Sequence, residues 1–349
     1  MTTLQDSTPT PRGAALVDSF GRVHTDLRIS LTDRCSLRCT YCMPEQGNTW
    51  LTRSSLMTPD EIERVAAVAA GLGVTSIRLT GGEPLLRRDL VDVVQRLSAL
   101  RSGGQPLEVT LTTNGIGLPA RLDELWAAGL SRVNISIDTL RRERFLELTK
   151  RDRLADVLEG IHAAAASGRP LKLNAVAMRC VNDDEIVDLV ELATSVGAQM
   201  RFIEQMPLDA GHVWDRDSML TREEILEALS RRWDLTPVPG RGAEPAERWW
   251  LDGGPHAVGV IASVSAPFCG SCNRLRMTAD GQLRSCLFAT EELDLMPALR
   301  ADGPAPSEAS GDLAIEAVLR AAVRGKKAGH AIDSPTFLQP IRGMNAIGG

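Results

Sequence analysis

The chain has 349 residues, 43% of them hydrophobic and 24% charged, with a formal net charge of −6. That length allows one large domain or a large domain with an extension, and the acidic balance argues against a broad nucleic-acid-binding face. No apolar run reaches the roughly 18 residues of a membrane span, and the Thr/Pro-containing start lacks a signal peptide's apolar core, so the cytoplasm is expected, where seven cysteines point to metal or catalysis rather than disulfides.

In chain order, residues 1–12 are polar with two prolines and read as a mobile arm. Strand one is expected at about 27–32. Cys35, Cys39 and Cys42 follow it, three thiols in eight residues, with Tyr41, the lone tyrosine, among them. Thiolates suit zinc or iron–sulfur clusters, and both normally take four ligands. Three leave a vacancy. In a cluster that vacancy is an iron able to bind a small molecule, pass it an electron and leave it where the Tyr41 ring can stack on it. The competing reading is a zinc knuckle completed by a distant Cys or His. It ranks second because structural zinc usually uses two ligand pairs.

Helices are then expected at roughly 59–71, 87–100, 118–128, 154–166 and 183–196. The strands between them are Ser76–Thr80, Val109–Thr113, Val133–Asp138, Leu171–Val176 and Gln199–Met206. Thr58-Pro59-Asp60-Glu61 opens the first helix with an N-cap and Pro at N1, and Asn182-Asp183-Asp184-Glu185 opens the last in a similar way. Strands spaced by helices imply a parallel sheet.

Parallel strands covered on both faces read as continuous apolar runs. These alternate instead. Leu27, Ile29 and Leu31 oppose Arg28 and Ser30; Ile77 and Leu79 oppose Arg78 and Thr80; Val109 and Leu111 oppose Thr110 and Thr112. Val133, Ile135 and Ile137 oppose Asn134, Ser136 and Asp138, and Leu171 and Leu173 oppose Lys172 and Asn174. Only Gln199–Met206 is ambiguous. The apolar set faces the helices, so a polar set faces the concave side, too polar to pack dry. It must hold water and a polar ligand. Arg28, Arg78 and Lys172 there need anionic partners: a triphosphate, which Arg grips through its planar fork, or a salt-bridge network with Asp138 and Glu204. The cysteines, Gly81–Pro84 and Thr113-Asn114-Gly115 all follow strands, on the carboxyl rim where barrel chemistry lies.

After about 215 the repeat stops. Thr221–Arg232 reads as a capped helix, and Arg248–Leu251, Ala257–Val264 and Leu275–Met277 as short strands. Gln282–Ser285 closes a hairpin through Asp280-Gly281. Asp302–Gly311 reads as a loop before a helix at Asp312–Val323, and the tail from Asp333 has no clear period. The expected division is an arm over 1–25, a partial barrel over 26–215 and an extension over 216–349. The extension holds a second triad, Cys269, Cys272 and Cys286. Residue types alone do not separate a zinc site there, with His256 or Cys180 as fourth ligand, from a second cluster. Cys180 by itself reads as a buried small hydrophobe.

The first triad's spacing, the aromatic before its last cysteine and Gly81-Gly82-Glu83-Pro84 resemble the radical S-adenosylmethionine (SAM) superfamily. Cys269-Gly-Ser-Cys272 with Cys286, Arg274-Leu-Arg276 and the Gly348-Gly349 end narrow the resemblance to the GTP 3′,8-cyclase family, from about Arg28 to the last residue. The resemblance implies an α/β fold, a partial (β/α)6 TIM-like barrel of the radical SAM type with a C-terminal extension carrying a second Fe–S cluster. The implied cofactors are two [4Fe-4S] clusters and SAM. Cys35, Cys39 and Cys42 would hold the cluster that reduces SAM, and Tyr41, Gly82, Ser136 and Met206 would bind SAM. Cys269, Cys272 and Cys286 would hold a cluster whose open iron contacts guanine. Arg28, Arg78, Thr112, Lys172, Arg274 and Arg276 would contact GTP, with Arg28, Arg274 and Arg276 the catalytic candidates, and the glycine tail would enter the active site.

Breaking an unactivated ribose C–H bond is beyond acid–base help and belongs to a cofactor. The implied reaction is radical cyclisation of GTP to (8S)-3′,8-cyclo-7,8-dihydroguanosine 5′-triphosphate, an early step of molybdenum cofactor biosynthesis. The implied partners are an electron donor such as flavodoxin or ferredoxin and the next enzyme, cyclic pyranopterin synthase. No nucleic acid or membrane is expected, and the chain is a monomer or homodimer. Two other readings stand beside this one: a two-cluster radical SAM enzyme that modifies a peptide, and a non-catalytic protein stapled by zinc at both triads.

Overall fold

Alternation along six strands sets the architecture of the chain, a computed structural model describing residues 14–44, 48–209, 211, 214–300, 308–335 and 337–348. The polar arm expected at 1–12, Gly349 and most of the 302–311 loop lie outside the described residues. The strands are β1 (Asp26–Ser30), β2 (Ser76–Thr80), β3 (Glu108–Thr113), β4 (Arg132–Ser136), β5 (Leu171–Ala177) and β6 (Gln199–Glu204). They lie side by side in that order, all parallel. Their apolar residues (Leu27, Ile29, Ile77, Leu79, Val109, Leu111, Val133, Ile135) are fully buried and share one core with the helices. Each such side chain contributes about 1.5–3 kcal/mol by leaving water. In the ambiguous strand β6, Met200 and Phe202 join this core, which turns Arg201 and Ile203 to the other face.

The helices on the convex side are α1 (Pro59–Gly71), α2 (Leu90–Ala99), α3 (Leu122–Ala127), α4 (Arg142–Thr149), α5 (Leu154–Ala166) and α6 (Ile186–Ser195). Thr58 and Glu61 close a reciprocal capping box on α1, as the sequence suggests. The opening of α6 differs from expectation. Asn182 does not cap it; its amide donates to the carbonyls of Asp138 and Val176, a 3-10 turn covers Asp183–Glu185, and the helix starts at Ile186. Helix α4, charged and only eight residues long, carries too little apolar periodicity to be read from sequence.

Beyond 215 the chain returns to the same sheet. Its strands are β7 (Leu235–Pro237), β8 (Glu247–Leu251), β9 (Ala257–Ile261), β10 (Arg274–Met277), β11 (Gln282–Arg284) and β12 (Leu293–Asp294), with α7 (Arg222–Ser230), α8 (Met296–Leu299) and α9 (Glu308–Arg324) among its helices. The whole sheet runs β12-β11-β10-β1-β2-β3-β4-β5-β6-β9-β8-β7. β10 pairs parallel to β1, and β9 parallel to β6. An incomplete barrel leaves two raw edges whose backbone groups need partners; the later strands cover both. Residues 14–25 also pack on this body: Leu16 is buried, and the Thr25 N–H donates to the Asn273 carbonyl at 3.1 Å.

Candidate active site

Residues from β10, from β9 and from the six strands between them line one cavity, so this part of the sheet curls around it. All six cysteines of the two triads face this cavity, together with Arg28, Arg78, Arg201, Arg274 and Arg276.

The first triad sits on the loop after β1. Helix α4 pins it: the N–H of Arg38 donates to the Thr149 carbonyl at 2.8 Å, and that of Thr40 to the Leu148 carbonyl at 3.0 Å. From the other side, Gly81 and Gly82 press so closely on Thr32–Arg34 that a Cβ at either position would overlap the Thr32 or Arg34 carbonyl. Contact with the cysteine loop is thus what requires glycine there. Glu83 ties this corner to β3, accepting from the Thr113 hydroxyl and the Asn114 N–H at 2.7 Å each. Asn114 in turn points its amide to Cys35 Sγ at 3.8 Å. The Tyr41 hydroxyl donates to Asp138 at 2.6 Å, leaving its ring on the cavity wall. Burial, then Glu83, pushes the Cys35 thiol up to about 11, and burial, then Cys35, pushes Cys42 up to about 12. Without a metal these thiols stay protonated and inert.

The concave face is cationic. Arg28 and Arg78 stand in register on β1 and β2, with Arg276 in register on the other side of Arg28. The nearest acid to Arg28 is Asp26, 3.8 Å away. Burial, then Arg276 and Arg78, holds the Arg28 pKa well below its ordinary value. The Nε atoms of Arg28 and Arg78 and one Nη of Arg274 are buried with no hydrogen-bond partner among the described residues. The alternative salt-bridge network does not form. Asp138 is occupied by Tyr41 and the Val176 N–H, and Glu204 by the N–H groups of Arg222, Val264 and Ser265. Beyond the long contacts of Arg28 with Asp26 and of Arg201 with Glu244, 3.8 and 3.7 Å, these buried guanidinium groups have little counter-charge among the described residues, and such groups call for an anionic ligand.

The chain end reaches this face. The Arg276 guanidinium donates to the Gly348 carbonyl, and a Cβ on Gly348, whose φ is +81°, would collide with the hydroxyls of Ser30 and Thr80. Gly349 itself lies outside the described residues.

The second triad spans a 3-10 turn at Cys269–Ser271, Cys272 before β10, and Cys286 after β11. Burial raises the Cys272 thiol, yet Arg274 and Lys326 outweigh it and bring it down to about 7. Among the described residues no three His, Cys, Asp or Glu side chains gather closely enough to share one ion. Cluster ligands bind different irons and need no common point.

Residues 29–193 match the Radical SAM superfamily, and residues 198–332 match Molybdenum Cofactor Synthesis C. A GTP 3′,8-cyclase of Streptomyces coelicolor is 55% identical over 338 residues, 96% of either chain. The chain belongs to the GTP 3′,8-cyclase family. A GTP 3′,8-cyclase 2 of Mycobacterium tuberculosis is 50% identical over 353 residues, covering 99% of this chain and 95% of that one. Among solved structures, Streptococcus suis SuiB superposes with a TM-score of 0.59 over 89% of this chain and 68% of its own, at 14% identity. That likeness speaks to the radical SAM fold alone.

The cofactors of a GTP 3′,8-cyclase, SAM and Fe–S clusters, fit the donor set: three free cysteines in each triad, all facing the cavity. Of the residues expected around SAM, Tyr41, Gly82, Ser136 and Met206 all line it. Of those expected around GTP, Arg28, Arg78, Thr112, Arg274 and Arg276 do as well. Lys172 stands beside them, in register with Asn134, but is not part of the cavity wall. Cys180 is not a buried hydrophobe. It is exposed, in the turn after β5, with a φ of 57°. Sequence reasoning missed Arg201 and Lys326, and gave Glu83 and Asn114 no role of their own within their rim motifs; the alternation Met200, Arg201, Phe202, Ile203 was the available signal for the first. No helix among the described residues is long and apolar enough to cross a membrane.

Proposed function

We propose that this chain converts GTP to (8S)-3′,8-cyclo-7,8-dihydroguanosine 5′-triphosphate, an early step of molybdenum cofactor biosynthesis. The observation that carries the reading is the shared cavity onto which both cysteine triads open together with arginines whose buried nitrogens lack partners among the described residues. Bound at Cys35, Cys39 and Cys42, a [4Fe-4S] cluster with SAM supplies the one-electron chemistry that acid–base groups cannot.

The chain's own residues do the rest. Tyr41, Gly82, Ser136 and Met206 bound the space beside the first triad, where they hold SAM. Arg28, Arg78, Arg274 and Arg276, with Thr112 at the cavity wall, bind the triphosphate by charge-assisted hydrogen bonds of about 1.5–3 kcal/mol each. Lys172 adds charge from beside the wall. Cys269, Cys272 and Cys286 would hold the second cluster, which would supply a binding site for the guanine. Fixing nucleotide and SAM in one cavity supplies the proximity a radical transfer needs, and the tail at Gly348 closes on the same wall. The electron comes from a small carrier such as flavodoxin or ferredoxin, and the product passes to cyclic pyranopterin synthase in the cytoplasm.

Anaerobic incubation of the reconstituted chain with GTP, SAM and dithionite, followed by mass analysis, tests this. A new nucleotide with the mass of GTP but separated from it by chromatography supports it, because the hydrogen atom lost from C3′ is balanced by the electron and proton gained on ring closure; 5′-deoxyadenosine without any new nucleotide overturns it.

A further inference from the structure

Just past the end of α9, Lys326 is only 7% exposed. Its Nζ donates to the carbonyls of Arg274 and Ser285 at 2.7 Å each, and stands 3.8 Å from Cys272 Sγ. An ammonium has three donors, and all three point at the two limbs that carry Cys272 and Cys286. Among the described residues no carboxylate pairs with it; the negative groups that act on it are the Cys272 and Cys286 sulfurs. A buried cation needs a compensating charge, and here only sulfur can provide one.

The turn that follows braces the third limb. Arg22 donates to the Lys327 carbonyl at 2.8 Å and to the Cys269 carbonyl at 2.7 Å, and the His330 N–H donates to the Cys269 sulfur.

We propose that Lys326 is a positioning residue for the second cluster: one ammonium clamps the Cys272 and Cys286 limbs at ligand spacing and lends charge and a hydrogen bond to a ligating sulfur. The proposal rests on the cluster reading of the second triad. Net charge and hydrogen bonds to sulfur set the potential of an Fe–S cluster. A cation beside it favours the more negative, reduced form, so removing the cation lowers the potential.

The test uses the full chain carrying Cys35→Ala, Cys39→Ala and Cys42→Ala, so that iron and electron paramagnetic resonance report the second triad alone. Into this parent go Lys326→Gln, which keeps a donor but no charge, and Lys326→Arg, which keeps both. Expected are a lower midpoint potential and a changed resonance in the Gln chain, with recovery towards the parent in the Arg chain. A Gln chain matching the parent in iron content, potential and resonance overturns the inference alone. A parent that binds no iron overturns the cluster reading and the inference with it. Should the Gln chain fail to fold, the Arg chain decides: parental iron and potential support the clamp, and loss of the cluster overturns it.

Discussion

The two cysteine triads open on one cavity but sit in opposite electrostatic surroundings. Around the first, carboxylates dominate: Glu83 acts on Cys35 more strongly than the opposing Arg38, and Asp138 acts on Cys39 and Cys42, adding to a burial that already disfavours thiolate. Around the second, the neighbours are Arg274 and Lys326, enough to reverse burial at Cys272. Since local charge tunes the potential of an Fe–S cluster, a cluster at the first triad would be the lower-potential, more strongly reducing one and a cluster at the second the milder. That difference suits the division of work proposed above, in which the first triad's cluster would deliver an electron and the second's would hold the substrate.

Removing a ligand from either side breaks the comparison most severely. Cys39→Ala is expected to abolish 5′-deoxyadenosine formation, because the first cluster loses one of its three side-chain ligands. Cys272→Ala should leave that cleavage running while no cyclic nucleotide accumulates. Both are read by chromatography and mass analysis of anaerobic reactions. Equal loss of 5′-deoxyadenosine in the two variants would mean the triads do not divide the work.

The next effect separates cavity arginines from surface ones. Among the described residues Arg276 has no carboxylate partner, whereas Arg96 pairs with Asp60, Glu63 and Asp92 on the outside. Arg276→Leu is expected to remove one charge-assisted bond to the triphosphate, about 1.5–3 kcal/mol, and to weaken GTP binding roughly 10–150-fold. Arg96→Leu should stay within about twofold, as exposed ion pairs contribute little. Equilibrium dialysis under nitrogen measures both. Without nucleotide, Arg276→Leu should melt no lower than the parent, because an unneutralised buried charge costs stability that its removal restores.

Much of this was legible in the sequence where one local rule governs. Period-two alternation placed Arg28 and Arg78 on the concave side and the apolar residues on the other, and the capped start of α1 fell where Thr58 and Glu61 put it. What stayed hidden depends on contacts between distant segments. Nothing local in 216–349 says that β9 and β10 will cover the two raw edges of the barrel. Lys326 looked like any lysine after a helix until its partners, 52 and 41 residues away, came into view. The eight residues of α4 carry no clear period, yet they hold the cysteine loop.

The smallest effect concerns pH and a group beside the cavity wall. Burial first, then Arg201 and Arg132, brings Lys172 from its ordinary 10.5 down to about 7. Between those two values the folded chain holds this site neutral while the unfolded chain keeps it charged, so the unfolded state binds more protons. The ligand-free protein should therefore gain stability as pH rises from about 7 towards 10, a contribution missing below 7. Nucleotide binding runs the other way. A triphosphate favours the ammonium, so GTP affinity should fall several-fold from pH 6 to pH 8 as that proton is lost. Lys172→Met removes the titrating group and should flatten both profiles, measured by thermal melting and by equilibrium dialysis. If the melting curve alone flattens, Lys172 titrates without touching the nucleotide's field, and the cationic surface that matters for GTP is confined to the arginines of the cavity wall.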